Sequence, residues 1–205
     1  YTNHIIFEGF EVDGANNPLV ARGIRILGER NIIRDTLVHH CVQHGIHSSD
    51  LSGSLTLEHV EVHHCGSGTL KHQVYIASDN STFPEAVFRM QFCYIHDGNG
   101  GNGLKSRAGR NEIYYNWIEG ALYHELDLIG AEIAAQAPDT AKLVREDSDV
   151  VGNVLCKTAG SQGSVARLGD DGVGASNGRY RFANNTVITP ATYTKALFKV
   201  RGPRE

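Results

Sequence analysis

The sequence predicts an all-β protein with the fold of a right-handed parallel β-helix, a single-stranded solenoid of about seven coils. Two families of short strand-like segments alternate along the chain, and equivalent segments recur at a base interval of 23–24 residues with longer insertions. Glycine is abundant, at 23 of 205 residues, as expected where tight turns separate short strands. We assign residues 1–205 to one parallel β-helix domain, which is either complete or a fragment of a longer one.

The first family consists of six-residue segments that alternate apolar and other residues. They begin at residues 7, 33, 57, 90, 113, 150 and 182, with the sequences FEGFEV, IRDTLV, LEHVEV, MQFCYI, IYYNWI, VVGNVL and FANNTV. A period of two favours a strand over a helix. We therefore expect each segment to form one strand that stacks on its predecessor at a spacing of ~4.8 Å.

Three insertions interrupt the repeat, at 79–87, 130–149 and 170–179. Insertions in solenoids tend to lie on one face, where they frame a groove. The insertion at 130–149 is rich in alanine, so we expect a short helix there.

Equivalent positions in stacked strands form ladders. The fourth position of the first family predicts an inward asparagine ladder of Asn116, Asn153 and Asn185. The two VHHC elements place Cys41 and Cys65 one coil apart. We expect stacked thiols rather than a disulfide, because a Cβ separation of ~4.8 Å exceeds the usual ~3.8 Å.

Histidines also recur in register, as His39-His40, His63-His64 and then His96-Asp97. A Zn²⁺ site needs three or four converging ligands, whereas stacking produces a line of side chains. We therefore expect these histidines to be stacked turn residues.

The second family of strands lies at 23–27, 45–48, 73–77, 103–106, 125–129, 165–169 and 196–200. Its outward side chains, here called the charged row, are Arg25, His47, Tyr75, Lys105, Asp127, Arg167 and Lys199. Neighbours in such a row stand roughly 5 Å apart. The row favours a groove that grips a charged, extended polymer, and the alternative is a solvated face with mutual salt bridges.

Lys105 stands in the segment GLKSRAGRN, close to Arg107 and Arg110. A lysine acts as a base only when its pKa falls well below ~10.4. Burial and cationic neighbours lower the pKa of a lysine, and the same arginines could neutralise a substrate carboxylate. The alternative is that three basic residues simply mark an exposed turn.

The stretch KSRAGRNEIYYNWIEG at 105–120 resembles the lysine coil of the β-helical polysaccharide lyases that include chondroitinase B and the alginate lyases, within the pectate-lyase-like superfamily. In that family a Lys-Ser at a strand end is followed by Asn, a short aromatic strand and a second Asn. The resemblance implies that Lys105 is the catalytic base and that Asn111 and Asn116 are structural.

One coil later that family carries an Arg-His-Gly, where this chain reads YHELDLIGAE at 123–132. The nearest arginine in equivalent phase is Arg167. The resemblance implies β-elimination of a uronate-containing polysaccharide, in which cations neutralise the carboxylate, Lys105 removes the proton at C5, and Tyr75 or a histidine protonates the leaving oxygen.

We accordingly select candidate site residues in two groups. The candidate catalytic residues are Lys105, Arg107, Tyr75 and His47. The candidate substrate-binding residues are Arg110, His72, His124, Arg167 and Arg25.

The acidic residues Glu125, Asp127 and Glu132 follow closely along the chain. Carboxylate oxygens are the ligands that Ca²⁺ prefers, and spacing by two places Glu125 and Asp127 on one side of a strand. We expect either no cofactor or a Ca²⁺ ion held by Glu125 and Asp127. The alternative is that Asp127 pairs with Lys105 or Arg107.

Two other functions stay open. Asp170-Asp171 invites comparison with β-helical polygalacturonases, which hydrolyse with inversion using carboxyl groups ~6.5–9.5 Å apart, although a glycine-flanked Asp-Asp is an ordinary turn. A non-catalytic module that binds carbohydrate or mediates adhesion is the alternative from a different class, because the fold alone does not decide function.

Charge and hydropathy limit the partners. The net charge is −4 with histidines neutral, so no basic field indicates nucleic acid. No apolar run approaches the ~18–20 residues that cross a membrane, so we expect no membrane insertion. We expect an acidic polysaccharide as partner and a secreted, periplasmic or cell-surface location.

Overall fold

The structure, a computed structural model, describes residues 3–131 and 145–202. The regular structure in these residues consists of 19 strands in two sheets, and every strand pair in both sheets is parallel. The all-β prediction is therefore confirmed for the described part of the chain. Most of the insertion in which we expected a short helix, together with Glu132, lies outside the described residues.

The first sheet has 12 strands. They are β1 (Ile6–Glu8), β2 (Glu11–Asp13), β4 (Asn31–His39), β6 (Leu55–His63), β8 (Phe88–Gln91), β9 (Tyr94–His96), β11 (Arg110–Tyr114), β12 (Trp117–Glu119), β14 (Asp147–Val151), β15 (Val154–Cys156), β17 (Tyr180–Ala183) and β18 (Thr186–Ile188). The long strands β4 and β6 pair with both halves of this sheet, so they join its two series of shorter strands.

The second sheet has seven strands. They are β3 (Arg22–Gly28), β5 (His44–Ser52), β7 (Val74–Ala77), β10 (Leu104–Arg107), β13 (Leu126–Ile129), β16 (Ala166–Gly169) and β19 (Phe198–Val200). Their order across the sheet follows their order along the chain. The chain therefore visits both sheets in turn and advances each time by one strand.

The strand register predicted from the repeat is confirmed in the first sheet. Leu57 pairs with both Ile33 and Met90, and Ile113 pairs with both Met90 and Val150. The end members follow the same register, with Phe7 against Ile33 and Phe182 against Val150.

Five of the seven six-residue segments are each divided between two strands, contrary to our expectation, whereas the segments at 33–38 and 57–62 lie within β4 and β6 as expected. In every segment the third residue has a left-handed backbone conformation with φ between 48° and 72°. These residues are Gly9, Asp35, His59, Phe92, Tyr115, Gly152 and Asn184. The left-handed residue bends the chain, so the inward positions become the first, fourth and sixth of each segment rather than every second one.

The core lies along these inward positions. In the segment that begins at Ile113, the side chains of Ile113, Asn116 and Ile118 are all buried. Leu104 and Leu126 contribute from the second sheet, and they belong to the same apolar cluster. Fully burying a side chain of this size contributes roughly 1.5–3 kcal/mol, and each stacked strand repeats that contribution.

The asparagine ladder is confirmed. The Asn116 Nδ2 donates to Asn153 Oδ1 at 2.9 Å, and the Asn153 Nδ2 donates to Asn185 Oδ1 at 2.9 Å. Each amide also donates to a backbone carbonyl, of Met90 for Asn116 and of Ile113 for Asn153. The ladder thus satisfies the polar groups that the inward bend would otherwise leave unpaired.

The two other predicted ladders are also present. Cys41 and Cys65 are buried free thiols that each lie two residues after the paired residues His39 and His63, and the backbone N–H of Gly66 donates to the Cys41 carbonyl at 3.0 Å. A hydrogen bond with Cys41 also raises the pKa of the Cys65 thiol. The ring centroids of His39 and His63 lie 5.0 Å apart, as do those of His40 and His64. The side chains therefore stack from strand to strand as the sequence predicts.

The structure contains, within the ranges 3–131 and 145–202, no helix of the length and apolarity required to cross a membrane.

Candidate active site

The charged row forms as predicted along the second sheet. Strand pairing places Tyr75, Lys105, Asp127 and Arg167 at consecutive register positions. His47 precedes Tyr75, and the ends of the row are Arg25 and Lys199, which are both exposed. The middle of the row is buried, so the site is enclosed around Lys105 rather than open along its whole length.

Lys105 and Arg107 lie two residues apart on β10 and project to the same side of the sheet, and both contact the carboxylate of Asp171. The Lys105 Nζ lies 3.1 Å from Asp171 Oδ2, and the Arg107 Nη2 lies 2.7 Å from the same oxygen. The three side chains are 10%, 4% and 6% exposed, respectively. One buried carboxylate oxygen therefore bridges two cationic groups.

Asp171 reaches this position from the turn that follows β16. Its Oδ1 accepts hydrogen bonds from the backbone N–H groups of Val173 and Gly174, at 3.0 and 2.8 Å. A Cβ on Gly174 would lie 2.2 Å from Arg107 Nη1 and 2.1 Å from the carbonyl oxygen of Gly130. Glycine is therefore required at residue 174 for the turn to pack over the guanidinium.

The pKa values of the paired groups are shifted in opposite senses by their environments. Burial and the charge of Arg107 lower the pKa of Lys105, while Asp127 and Asp171 oppose that shift. Burial by itself raises the pKa of Asp171, but Arg107, the N–H of Gly174 and Lys105 together hold it well below its ordinary value. Asp171 is therefore ionised at neutral pH.

Tyr75 adjoins the two cationic side chains. The Lys105 Nζ lies 5.5 Å from the centroid of the Tyr75 ring, within the range of a cation–π contact. The Arg107 Nε donates to the Tyr75 hydroxyl at 3.3 Å. Three of the four candidate catalytic residues, Lys105, Arg107 and Tyr75, are thus brought together.

Asp127 is fully buried, and its carboxylate is engaged by other protein groups. The Arg167 Nε and Nη2 donate to its two oxygens at 2.7 Å each, and the Asn102 Nδ2 donates to Oδ2 at 2.8 Å. Arg167 therefore forms a bidentate ion pair with Asp127. We had considered a pairing of Asp127 with Lys105 or Arg107, and its hydrogen-bonded cationic partner is Arg167 instead.

Glu125 is also fully buried, and its Oε2 lies 2.9 Å from Lys157 Nζ without the alignment of a hydrogen bond. Burial raises the pKa of Glu125 to about 7, although Lys157 opposes that shift. The proposed Ca²⁺ ligands Glu125 and Asp127 thus each have a cationic partner, Lys157 and Arg167. The Ca²⁺ site stays a prediction.

The histidines that precede the row form a separate buried ladder. The backbone N–H of His72 donates to His44 Nδ1 at 3.1 Å, and the backbone N–H of Asn102 donates to His72 Nδ1 at 2.9 Å. Next in this ladder, the His124 N–H donates to Asn102 Oδ1 at 3.1 Å, and its ring contacts the carbonyl oxygen of Ser164 through Nδ1 at 2.8 Å. These rings therefore bond to the backbone of the neighbouring segment.

The ladder histidines are neutral at pH 7. Burial, with the charges of His47 and Lys71 next, lowers the pKa of His44 to about 3. Burial followed by the charge of Lys105 lowers the pKa of His72 to about 2, and burial lowers that of His124 to about 4. Because Nδ1 of His72 accepts a hydrogen bond, the proton of its neutral ring lies on Nε2.

His47 and Arg110 lie outside the immediate contacts of Lys105. His47 stacks between His44 and Tyr75, with ring centroids 5.1 and 5.4 Å away, and its Nδ1 accepts from Arg22 Nε at 2.9 Å. Arg110 begins β11 in the first sheet, where it pairs with Asp149 and Glu112. Arg110 is therefore placed on the other sheet from the charged row.

Sequence reasoning pointed to Asp171 only as part of a possible hydrolase pair, and it did not identify Asn102 at all. Asp171 lies 66 residues from Lys105 along the chain, and nothing local predicts their contact. Asn102 was detectable, because it stands three residues before Lys105 as His72 does before Tyr75 and His124 does before Asp127. Asn111, assigned a structural role from the resemblance, is buried and accepts from the Ser106 hydroxyl at 2.5 Å.

No protein-family model matches the chain, and comparisons with curated proteins and with solved structures give no match either. The function must therefore be argued from the site itself.

Proposed function

We propose that this chain is a right-handed parallel β-helix that cleaves an acidic, uronate-containing polysaccharide by β-elimination. The observation that carries the proposal is that Lys105 Nζ and Arg107 Nη2 both bind the carboxylate oxygen Oδ2 of Asp171, at 3.1 and 2.7 Å. The two cationic groups are arranged to bind a carboxylate, which is the group that a uronate presents. In the proposed complex the substrate carboxylate takes the place of Asp171 on Arg107, and Lys105, no longer paired with Asp171, is available in its neutral form as the base.

The chemistry follows from the three side chains that meet here. Arg107 neutralises the substrate carboxylate, which makes the adjacent C5–H more acidic. Neutral Lys105 accepts the C5 proton at Nζ, the electron pair forms the C4–C5 double bond, and the C4–O bond breaks. The Tyr75 hydroxyl donates its proton to the leaving oxygen, and the lysine proton subsequently restores the tyrosine.

The pKa shift of Lys105 supports its role as the base. Burial and Arg107 lower the pKa of Lys105, which raises the fraction of neutral amine at a given pH. When the substrate displaces Asp171, its own carboxylate brings a negative charge to the same place. That charge would raise the pKa of Lys105 again, and Arg107 opposes this rise by neutralising the carboxylate.

The same contacts favour elimination over inverting hydrolysis. A hydrolase of that type needs one protonated carboxyl group as the acid. Asp171 is held ionised by its two cationic neighbours, and Asp127 is fully buried against Arg167. Neither Asp171 nor Asp127 is therefore suited to protonate a leaving oxygen.

The test is to incubate the protein with alginate, pectate and chondroitin, with and without Ca²⁺, and to record the ultraviolet absorbance of the unsaturated uronate product. We expect absorbance to rise with at least one polymer and Lys105→Ala to lower the rate by roughly 10²- to 10⁴-fold. Lys199→Ala is the matched control, because Lys199 is an exposed member of the same row.

Two results would overturn the proposal. New reducing ends without the absorbance would indicate hydrolysis instead. Absence of both signals on every polymer would exclude elimination of those substrates. A polysaccharide substrate also implies a secreted, periplasmic or cell-surface location, which the same assay on culture fractions would test.

A second candidate function, non-catalytic carbohydrate binding, is favoured by a different observation. Four aromatic side chains are exposed on the first sheet, Tyr94 and Trp117 at the starts of β9 and β12 and Phe92 and Tyr115 in the bends just before these strands, at 38%, 44%, 48% and 59%. The rings of Phe92 and Tyr115 stack at a centroid distance of 5.8 Å, and Tyr94 pairs with Trp117. Flat exposed rings of this kind offer apolar faces to a sugar chain.

Trp117 allows this alternative to be measured directly, because it is the only tryptophan in the sequence. Saturable quenching or enhancement of its fluorescence by a polysaccharide would indicate binding at this face. Binding that persists in Lys105→Ala, together with no turnover in the wild type, would favour the binding module over the lyase.

A further inference from the structure

Histidines and carboxylates converge at one edge of the first sheet, at the ends of β2, β4, β6 and β9. Two groups have ligand atoms that all lie within 4.8 Å of one another, and both lie in the first sheet, whereas Lys105 lies in the second. The first group is Asp13, His39 and His40, and the second is Glu61, His63 and His96. Stacking alone would give a line of rings, so this convergence was not expected.

The geometry of the first group has a backbone cause. His40 has a left-handed conformation with φ of 54°, which turns its ring back toward the ring of His39. The two Nδ1 atoms lie 2.6 Å apart, and Asp13 Oδ1 lies 3.4 Å from His39 Nδ1 and 3.9 Å from His40 Nδ1. These distances bracket the ~3.3 Å that separates ligand atoms around a tetrahedral Zn²⁺ with bonds of ~2.0–2.1 Å.

Glu11 provides the outer support that metal-binding histidines usually have. Its Oε1 lies 3.1 Å from His39 Nε2, so that nitrogen donates to the carboxylate and leaves a lone pair on Nδ1. In the metal-free protein the His40 Nδ1–H donates to that lone pair. Metal binding requires His40 to carry its proton on Nε2 instead, which frees both Nδ1 atoms to bind.

The second group is built differently, from His63 and His96, which pair across the neighbouring strands β6 and β9, together with Glu61. His96 Nε2 lies 3.1 Å from Glu61 Oε1, and His96 Nδ1 lies 2.8 Å from Asp97 Oδ2. Asp97 thus takes the supporting part that Glu11 has in the first group, while Nε2 faces the site. His63 supplies the third ligand atom.

We propose that these two groups are binding sites for divalent transition-metal ions, with Zn²⁺ as the representative ion, one ion at each group. Imidazole nitrogen with one carboxylate suits Zn²⁺, Cu²⁺ and Ni²⁺, whereas Ca²⁺ and Mg²⁺ prefer oxygen ligands. The Asp13 and Glu61 side chains are 51% and 47% exposed, so an ion can enter from solvent. Three protein ligands leave a coordination position for water or another ligand.

The test is equilibrium dialysis of the purified protein against Zn²⁺, with metal counted per chain. We expect two Zn²⁺ per chain in the wild type and one in either His40→Asn or His96→Asn. We expect none in the double variant. Asparagine tolerates the left-handed conformation required at residue 40. His59→Asn is the matched control, because His59 is also left-handed and exposed, lies in β6 and belongs to neither group.

Second variants keep the proposal testable if His40→Asn does not fold, as judged by circular dichroism. Asp13→Asn alters an exposed side chain and should also remove one ion. Glu11→Gln should weaken one of the two sites by about 10- to 100-fold, because it loses the outer carboxylate. No Zn²⁺ bound to the wild type, or two ions retained by the double variant, would overturn the proposal.

Discussion

Asp171 Oδ2 lies 3.1 Å from Lys105 Nζ and 2.7 Å from Arg107 Nη2, although Asp171 stands in a turn 66 residues after Lys105. The turn buries both cationic groups and holds a carboxylate between them. Asp171 therefore raises the pKa of Lys105 against the effects of burial and Arg107, and its replacement separates that electrostatic effect from the rest of the site.

We expect Asp171→Asn to lower the pKa of Lys105 further. Asp171 raises that pKa through its charge and its hydrogen bond, so removal of the charge leaves burial and Arg107 less opposed. The pH dependence of Lys105 acetylation, followed by peptide mass spectrometry, should show a lower midpoint. The midpoint is compared rather than the rate, because the variant also changes how readily the reagent reaches the amine and so changes the overall rate of acetylation.

The control for this measurement is Asp97→Asn, which alters an exposed carboxylate on the other sheet. It should leave the midpoint for Lys105 where it is in the wild type. An unchanged or higher midpoint in Asp171→Asn would contradict the electrostatic role assigned to Asp171.

Glu146 should make stability depend on pH. Burial raises the pKa of Glu146 from 4.5 to about 7, and one of its oxygens has no hydrogen-bond partner. A raised pKa means that the folded state binds the proton of Glu146 more tightly than the unfolded state does. The resulting contribution to the free energy of unfolding is complete below about pH 4.5 and is lost as pH rises through about 7. The contribution is roughly 3 kcal/mol, from ~1.4 kcal/mol per pKa unit.

The measurement is urea unfolding of the wild type and of Glu146→Gln at pH 5 and pH 8. The variant should lose less of its free energy of unfolding between these two pH values than the wild type does. Glu85→Gln, at an exposed position, should behave as the wild type. Identical pH dependence in Glu146→Gln and the wild type would refute the raised pKa.

Asn153→Ala should destabilise the fold strongly. The Asn153 amide accepts from Asn116 and donates to the Ile113 carbonyl and to Asn185, all inside the protein. Its removal leaves several buried groups unpaired at about 1–3 kcal/mol each, so we expect a loss of roughly 3 kcal/mol or more.

Asn185→Ala is the comparison for this prediction, because Asn185 is the half-buried last member of the ladder. It should cost clearly less in the free energy of unfolding, measured by urea denaturation. Equal losses in the two variants would show that the ladder does not act through buried hydrogen bonds.

Asp35 tests the left-handed bend. It is exposed with φ of 48°, a conformation in which a β-branched residue is strained. We expect Asp35→Gly to leave the melting temperature unchanged or slightly raised. Asp35→Val should lower the stability by about 1–2 kcal/mol. A valine variant as stable as the glycine variant would contradict the strained conformation.

The sequence predicted the strand register well, because a repeat constrains every segment at once. The pairing of Lys105 with Tyr75 and Asp127 followed from equivalent positions in stacked segments, as did the asparagine ladder. The bend was missed, since the left-handed position is occupied by residues as different as Gly9 and Tyr115. No single residue type marks it.

The sequence by itself determined the all-β class, the order of the strands and the side chains that share the charged row, because spacing along a repeat converts directly into stacking. Only the tertiary structure decided which charges pair. Asp171 comes to Lys105 through a turn, Arg167 to Asp127 across neighbouring strands, and His40 to His39 through a left-handed residue. These contacts depend on backbone direction and burial, which local spacing does not encode.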